Sequence, residues 1–210
     1  YSIGGWTALV LLLSLSIGLT LSIELRFLLQ RVPPIYAIFF TALSFAALAN
    51  HVLIRPHVLS WPLLTIWISR LITASEKYRT PPFYLIAILI FWANLHGSFI
   101  LGLAIAAPIA IEAIWNAPKS EQFQLSKNWA VFLLLSIGAC TLTPLGIAGL
   151  IFPLNLFKLN HLNAILEWMP YQFGKSYGFD FSMFTYFFLA LLGLIKLSII
   201  PALVVMALLY

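Results

Sequence analysis

An asparagine and a histidine interrupt an otherwise apolar part of this chain. The run Phe83–Trp115 is almost wholly apolar, yet its middle reads "FWANLHGSF". Asn94 and His96 can donate and accept hydrogen bonds there. Because Gly97 tolerates positive φ and Ser98 favours helix caps, we predict a turn between two antiparallel helices; the alternative is one long interrupted helix. At a helix N-terminus the charged form of His96 is disfavoured, so we predict that His96 is a neutral donor or acceptor; the alternative is a polar turn that only caps the two helices.

An arginine and two histidines lie in a second polar segment, "NHVLIRPHVLS" over 50–60. His51 and Arg55 are four residues apart and would share a helix face. Pro56 biases Arg55 away from the helical region, so we expect Arg55 to end one helix and His57 to begin the next. The planar guanidinium suits phosphate or carboxylate. The alternative is an interfacial arginine that binds lipid headgroups.

The third polar segment is the long stretch 143–180, predicted to be an external loop. Its apolar residues recur at three- and four-residue steps between Asn, Lys and His, which predicts an amphipathic helix on the membrane surface. Lys158, His161 and Trp168 belong to that helix. Glu167 is a candidate base or metal ligand, and the alternative is a solvated rim charge. No spacing identifies a metal site, so the cofactor is left open, a divalent metal included.

Composition determines the class of protein that positions these residues. Hydrophobic residues make up 62% of 210 and charged residues only 8%, with a mean hydropathy of +1.03. Soluble domains carry about 25% charged residues. The composition therefore predicts an all-α, polytopic transmembrane bundle, because a transmembrane β-barrel would need short alternating strands and the sequence lacks them. The net charge of +5 is too dilute for nucleic-acid binding, so the predicted partner is the lipid bilayer. The single cysteine, Cys140, is predicted to be inert packing.

Apolar runs predict about eight membrane crossings in a single transmembrane domain over 1–210. In chain order they are Trp6–Leu25, Pro34–Ile54, Val58–Ala74, Pro82–Leu95, Ser98–Asn116, Asn128–Leu142, Phe181–Ile195 and a truncated Ser198–Tyr210. The chain starts at Tyr1 without a methionine and ends inside the last run, so we expect an internal fragment of a longer protein.

The charges of the connecting segments predict the orientation. One side carries eight basic residues, Arg26, Arg31, Arg70, Lys77, Arg79, Lys119, Lys127 and Lys196, and the other carries three, Arg55, Lys158 and Lys175. The basic-rich side is therefore predicted to be cytoplasmic. All four histidines then lie on the external side, together with Glu167 and Asp180. We expect the chemistry on that face.

Four short motifs occur in a familiar order along nearly the whole chain. They are "RPHVLS" from Arg55, "WANLHGSF" from Trp92, "TPLG" from Thr143 and "EWMP" from Glu167. The chain thereby resembles a bacterial family of multispanning membrane proteins related to GT-C type glycosyltransferases. That family commonly has an asparagine before the proline of the third motif, where Thr143 stands here.

The resemblance implies transfer of a sugar from a polyprenyl-phosphate donor at the external, periplasmic face of the inner membrane. The substrate-binding residues would be Arg55, His57, Asn94, His96, His51, Lys158, His161 and Trp168. The first four are predicted to converge on one external cavity, where Arg55 binds the phosphate with His57 and His96 assisting. Such enzymes commonly place the catalytic acid in the first external loop, before Tyr1, which leaves Glu167 as the catalytic candidate here.

Two other classes of protein remain open from sequence. A transporter or flippase of a lipid-linked or anionic substrate would also place Arg and His over a membrane cavity, although no inverted repeat is visible. A non-catalytic membrane assembly subunit would need only the apolar helices, and it leaves the one-sided polar cluster unexplained.

Overall fold

The computed structural model describes residues 5–49, 52, 56–156, 174 and 177–193, and the structural statements below concern these residues. In chain order the helices are α1 (Gly5–Leu29), α2 (Pro34–Leu48), a 3₁₀ segment (Pro56–Ser60), α3 (Trp61–Glu76), α4 (Tyr84–Leu95), α5 (Phe99–Asn116), α6 (Lys119–Ala139), α7 (Ile147–Leu156) and α8 (Tyr177–Leu191). No strand occurs in the described part of the chain, and the predicted all-helical class is confirmed there.

Among the described residues, three helical stretches are long and apolar enough to cross a membrane, which is fewer than the eight crossings predicted for the chain. They are Gly5–Leu29, Pro56–Glu76 and Phe99–Asn116, and they make this a membrane protein by length and composition. The apolar helices α2 and α4 are shorter, with 15 and 12 residues. Helix α6 begins at Lys119, nine residues before the predicted crossing, so its first turns are polar. The truncated last crossing lies outside the described residues.

The described residues form two compact units, the first within 1–65 and 171–202 and the second within 66–170. In the first unit α8 packs closely on α2. A Cβ on Gly178 would collide with the backbone carbonyl of Ala46, so only glycine fits there. The hydroxyl of Ser182 donates to the carbonyl of Leu43 at 3.0 Å, which ties the same two helices together.

A cluster of large aromatic side chains forms the core of the second unit. Trp67, Trp92, Trp129 and Phe132 are all fully buried. The ring of Phe132 stacks on Trp67 at 5.7 Å and meets Trp129 edge-on at 6.2 Å. Aromatic pairs at such distances contribute beyond the area they bury. The core therefore joins α3, α4 and α6 around one set of rings.

The chain reverses between α4 and α5, as the sequence predicted. His96 is extended, with φ −159° and ψ 141°, and separates the two helices. A Cβ on Gly102 would lie 2.7 Å from the Trp92 ring, ten residues earlier. Two helices in line would hold those positions about 15 Å apart. The alternative of one long interrupted helix is therefore wrong.

Two details predicted for this turn are wrong. Gly97 is not among the described glycines with positive φ. Ser98 has helical dihedrals and its side chain does not cap α5. The reason for the second is that the Ser98 hydroxyl is engaged by two other side chains, which are described below.

Candidate functional site

A cavity of about 360 Å³ lies in the second unit, and we call it the interhelical cavity. The end of α4, the α4–α5 turn, the segment after α6 and the start of α7 surround it. Its lining residues are Ala93, Asn94, Leu95, His96, Gly97, Phe99, Thr143, Pro144, Leu145, Gly149 and Phe152. Small-molecule sites span about 300–1,000 Å³, so this cavity has room for one small group. Two of the motifs singled out in the sequence, "WANLHGSF" and "TPLG", thus line one space.

A chain of hydrogen bonds fixes the His96 ring at this cavity. The buried Trp92 Nε1 donates to Ser98 Oγ at 3.0 Å. Ser98 Oγ lies 2.8 Å from His96 Nδ1, and the backbone N–H of Ser98 donates to the same nitrogen at 3.1 Å. Because a backbone N–H only donates, Nδ1 must accept. This geometry corresponds to the neutral His96 tautomer that carries its proton on Nε2.

The Asn94 amide holds two elements of the cavity wall together. Its Nδ2 donates to the carbonyls of Ile90 and Leu142, each at 2.9 Å. Both amide hydrogens are thereby used, and the end of α4 is joined to the segment after α6. The Asn94 side chain is exposed and lines the cavity, and its Oδ1 can accept a hydrogen bond. Asn94 therefore builds the site as well as lining it.

The "TPLG" motif is a tight turn that presents Thr143 to the cavity. The N–H of Gly146 donates to the carbonyl of Thr143 at 2.9 Å, and Gly146 has φ +54°. Proline at the second position and a glycine at the fourth suit such a turn. The Thr143 hydroxyl oxygen is buried and has no hydrogen-bond partner among the described residues. It faces Gly149, where a Cβ would lie 2.8 Å away.

The structure brings together only some of the residues predicted from sequence. Asn94 and His96 line the interhelical cavity. His57 belongs to the first unit, where its ring meets Trp61 edge-on at 5.8 Å and its carbonyl accepts from Ser60. The remaining candidates, His51, Arg55, Lys158, His161, Glu167 and Trp168, lie outside the described residues. So does most of the predicted amphipathic helix, although the apolar α7 occupies the start of the predicted external loop.

Three polar side chains named in the sequence analysis have surroundings that the sequence did not predict. Thr143 and Ser98 carry hydroxyls whose surroundings only the fold reveals. Asp180 is only 7% exposed; its Oδ2 accepts from the N–H of Gly174 at 3.1 Å, while Oδ1 has no partner among the described residues. For Asp180 the sequence did contain a signal, namely a carboxylate in an apolar segment, because a buried charge requires partners.

Within the described part of the chain no group of three or more His, Cys, Asp or Glu is placed to hold a metal.

Comparisons with protein-family models, curated proteins and solved structures find no match to this chain.

Proposed function

We propose that this membrane protein binds a polyprenyl-linked sugar phosphate at the external face of a bacterial inner membrane and takes part in transferring the sugar. About eight crossings, with the basic segments inside, belong to this proposal. The observation that carries it is the interhelical cavity. Two motifs far apart in sequence meet there, and they contribute an amide, an imidazole and a hydroxyl.

The fixed His96 ring supports a binding role over a structural turn. Asn94 alone could join the two helix ends, and Trp92 could be satisfied by any acceptor. Instead the indole N–H, the Ser98 hydroxyl and the Ser98 backbone together orient one imidazole at the cavity. Binding sites depend on such supporting contacts to hold a side chain in one geometry.

The charged part of the proposal rests on residues outside the described part of the chain. Arg55 would bind the phosphate, because its guanidinium makes paired hydrogen bonds with oxyanions. Glu167 would serve as the base within this chain. A transporter of the same lipid would use similar groups without consuming the donor, so turnover distinguishes the two classes.

The test is consumption of a radiolabelled polyprenyl phosphohexose by the full-length protein in membranes that supply acceptors. We expect label to leave the lipid with the wild type and to stay with His96→Ala. Asn128→Ala, a half-buried asparagine on α6 that does not line the cavity, is the control and should behave as wild type. Movement of the intact lipid across the bilayer without loss of label would favour the transporter. If the label neither leaves the lipid nor crosses the bilayer with it, both classes are refuted.

A further inference from the structure

The interhelical cavity has no charged wall in the described part of the chain. Its lining contains neither Arg nor Lys, and neither Asp nor Glu. The histidine is the neutral tautomer, because Nδ1 accepts from the backbone of Ser98. A phosphate placed here would find no countercharge among the described lining residues, and a charge that is removed from water without a partner is costly.

The backbone also offers little to an anion. Helix N-termini bind phosphate through N–H groups that lack partners. At the start of α5 the N–H groups of Phe99, Ile100 and Leu101 donate to carbonyls at 3.0–3.4 Å. At the start of α7 the N–H groups of Ala148 and Gly149 donate at 3.1 Å. These five N–H groups at the two helix ends that border the cavity are therefore already engaged by carbonyls of the chain.

What the cavity does offer suits an uncharged ligand with hydroxyl groups. Asn94 Oδ1 can accept, and Thr143 can donate or accept. The Thr143 hydroxyl has no hydrogen-bond partner among the described residues, and it lies against Gly149, which also lines the cavity. The exposed side chains of Leu145 and Phe152 supply apolar surface for the C–H face of a ring. A buried hydroxyl without a partner lowers the stability of the fold, and a hydrogen bond from a bound ligand to Thr143 would offset that cost.

We propose that the interhelical cavity binds the sugar of the lipid-linked donor, through Asn94 and Thr143, and does not bind its phosphate. This rests on the proposed function, and it assigns His96 to the sugar instead of the phosphate predicted from sequence. The sugar recognised is neutral, since the described lining has no cation to pair with an acidic one.

The test uses Thr143→Val in the full-length protein in nanodiscs with two probes, polyprenyl phosphate and polyprenyl phosphohexose. Valine keeps the shape and removes the hydroxyl. We expect binding of the phosphohexose to weaken roughly three- to tenfold, as for loss of one neutral hydrogen bond, with no change for the bare phosphate. Thr141→Val is the control, because that hydroxyl is already bonded to Gly138 at 2.7 Å and lies outside the lining.

Each outcome separates this inference from the proposed function. Equal weakening of both lipids would place the shared phosphate in the cavity and overturn the inference, and so would no weakening of either. Wild-type protein that binds neither lipid would refute the proposed function itself. Free hexose is a third probe: affinity equal to that of the phosphohexose would contradict a lipid-linked source. Unchanged labelling of buried Cys140 would show that Thr143→Val is folded.

Discussion

Replacing Gly102 with alanine should destabilise the second unit, because the new methyl group meets a rigid ring. The Cβ would lie 2.7 Å from Trp92 Cζ3 and 3.1 Å from Cη2, whereas carbon atoms pack at about 3.5–4.0 Å. Trp92 is fully buried and bonded to Ser98, so it cannot move without losing packing or that hydrogen bond.

The expected size follows from two opposing effects. Overpacking a core costs about 1–3 kcal/mol, and loss of a hydrogen bond costs about 1 kcal/mol more. Replacing a helical glycine by alanine returns about 0.5–1 kcal/mol. We therefore expect a net loss of about 1–3 kcal/mol, which raises the unfolded fraction roughly 5- to 150-fold.

The assay uses the only cysteine in the chain. Cys140 is fully buried at the end of α6, in the same unit, so a thiol-reactive dye reports its unfolding. Gly138→Ala is the matched control, since a Cβ there meets nothing within 4 Å. Gly102→Ala should be labelled faster than wild type in detergent, and Gly138→Ala should not. Equal labelling of both variants would refute the packing described here.

Three further predictions concern the two units and the topology. Gly178→Ala should lower the melting temperature, because a backbone carbonyl of α2 cannot yield, whereas Gly18→Ala, with open space around it, should not lower it. Ser98→Ala should cost about 1–3 kcal/mol in the Cys140 dye assay, because the buried indole N–H of α4 loses its acceptor; a wild-type labelling rate would contradict that bond. Single cysteines in a Cys140→Ala background should react with an impermeant maleimide from the cytoplasmic side at Lys119 and from the outside at Lys158, and reversed labelling would contradict the proposed orientation.

The turn at His96 could be predicted because polar residues stand out in an apolar run. Its internal contacts could not, since Ser98 bonds to Trp92 on another helix instead of capping its own. The conformation that "TPLG" adopts follows from its proline and glycine. The contact of this turn with Gly149 and its position beside Asn94 are tertiary features, and these cannot be predicted from the spacing of residues along the chain.

The number of crossings was harder to predict than the fold class. Composition alone requires helices in lipid, and the described residues are helical. Helix ends are poorly marked in a uniformly apolar sequence, so α2 was predicted beyond its end at Leu48. Helix α6 shows the opposite error, since its polar first turns at Lys119 were assigned to a loop.

The most direct test of the central claim is photo-crosslinking from inside the interhelical cavity. A benzoylphenylalanine at Phe152, a lining residue that is 58% exposed, should crosslink to polyprenyl phosphohexose in membranes of the full-length protein. The same group at Trp115, at the other end of α5 and 80% exposed, controls for contact with bulk lipid. We predict a crosslink at Phe152 that excess unlabelled phosphohexose abolishes, and none of that kind at Trp115. Equal, non-competed labelling at both positions would contradict a donor site in this cavity.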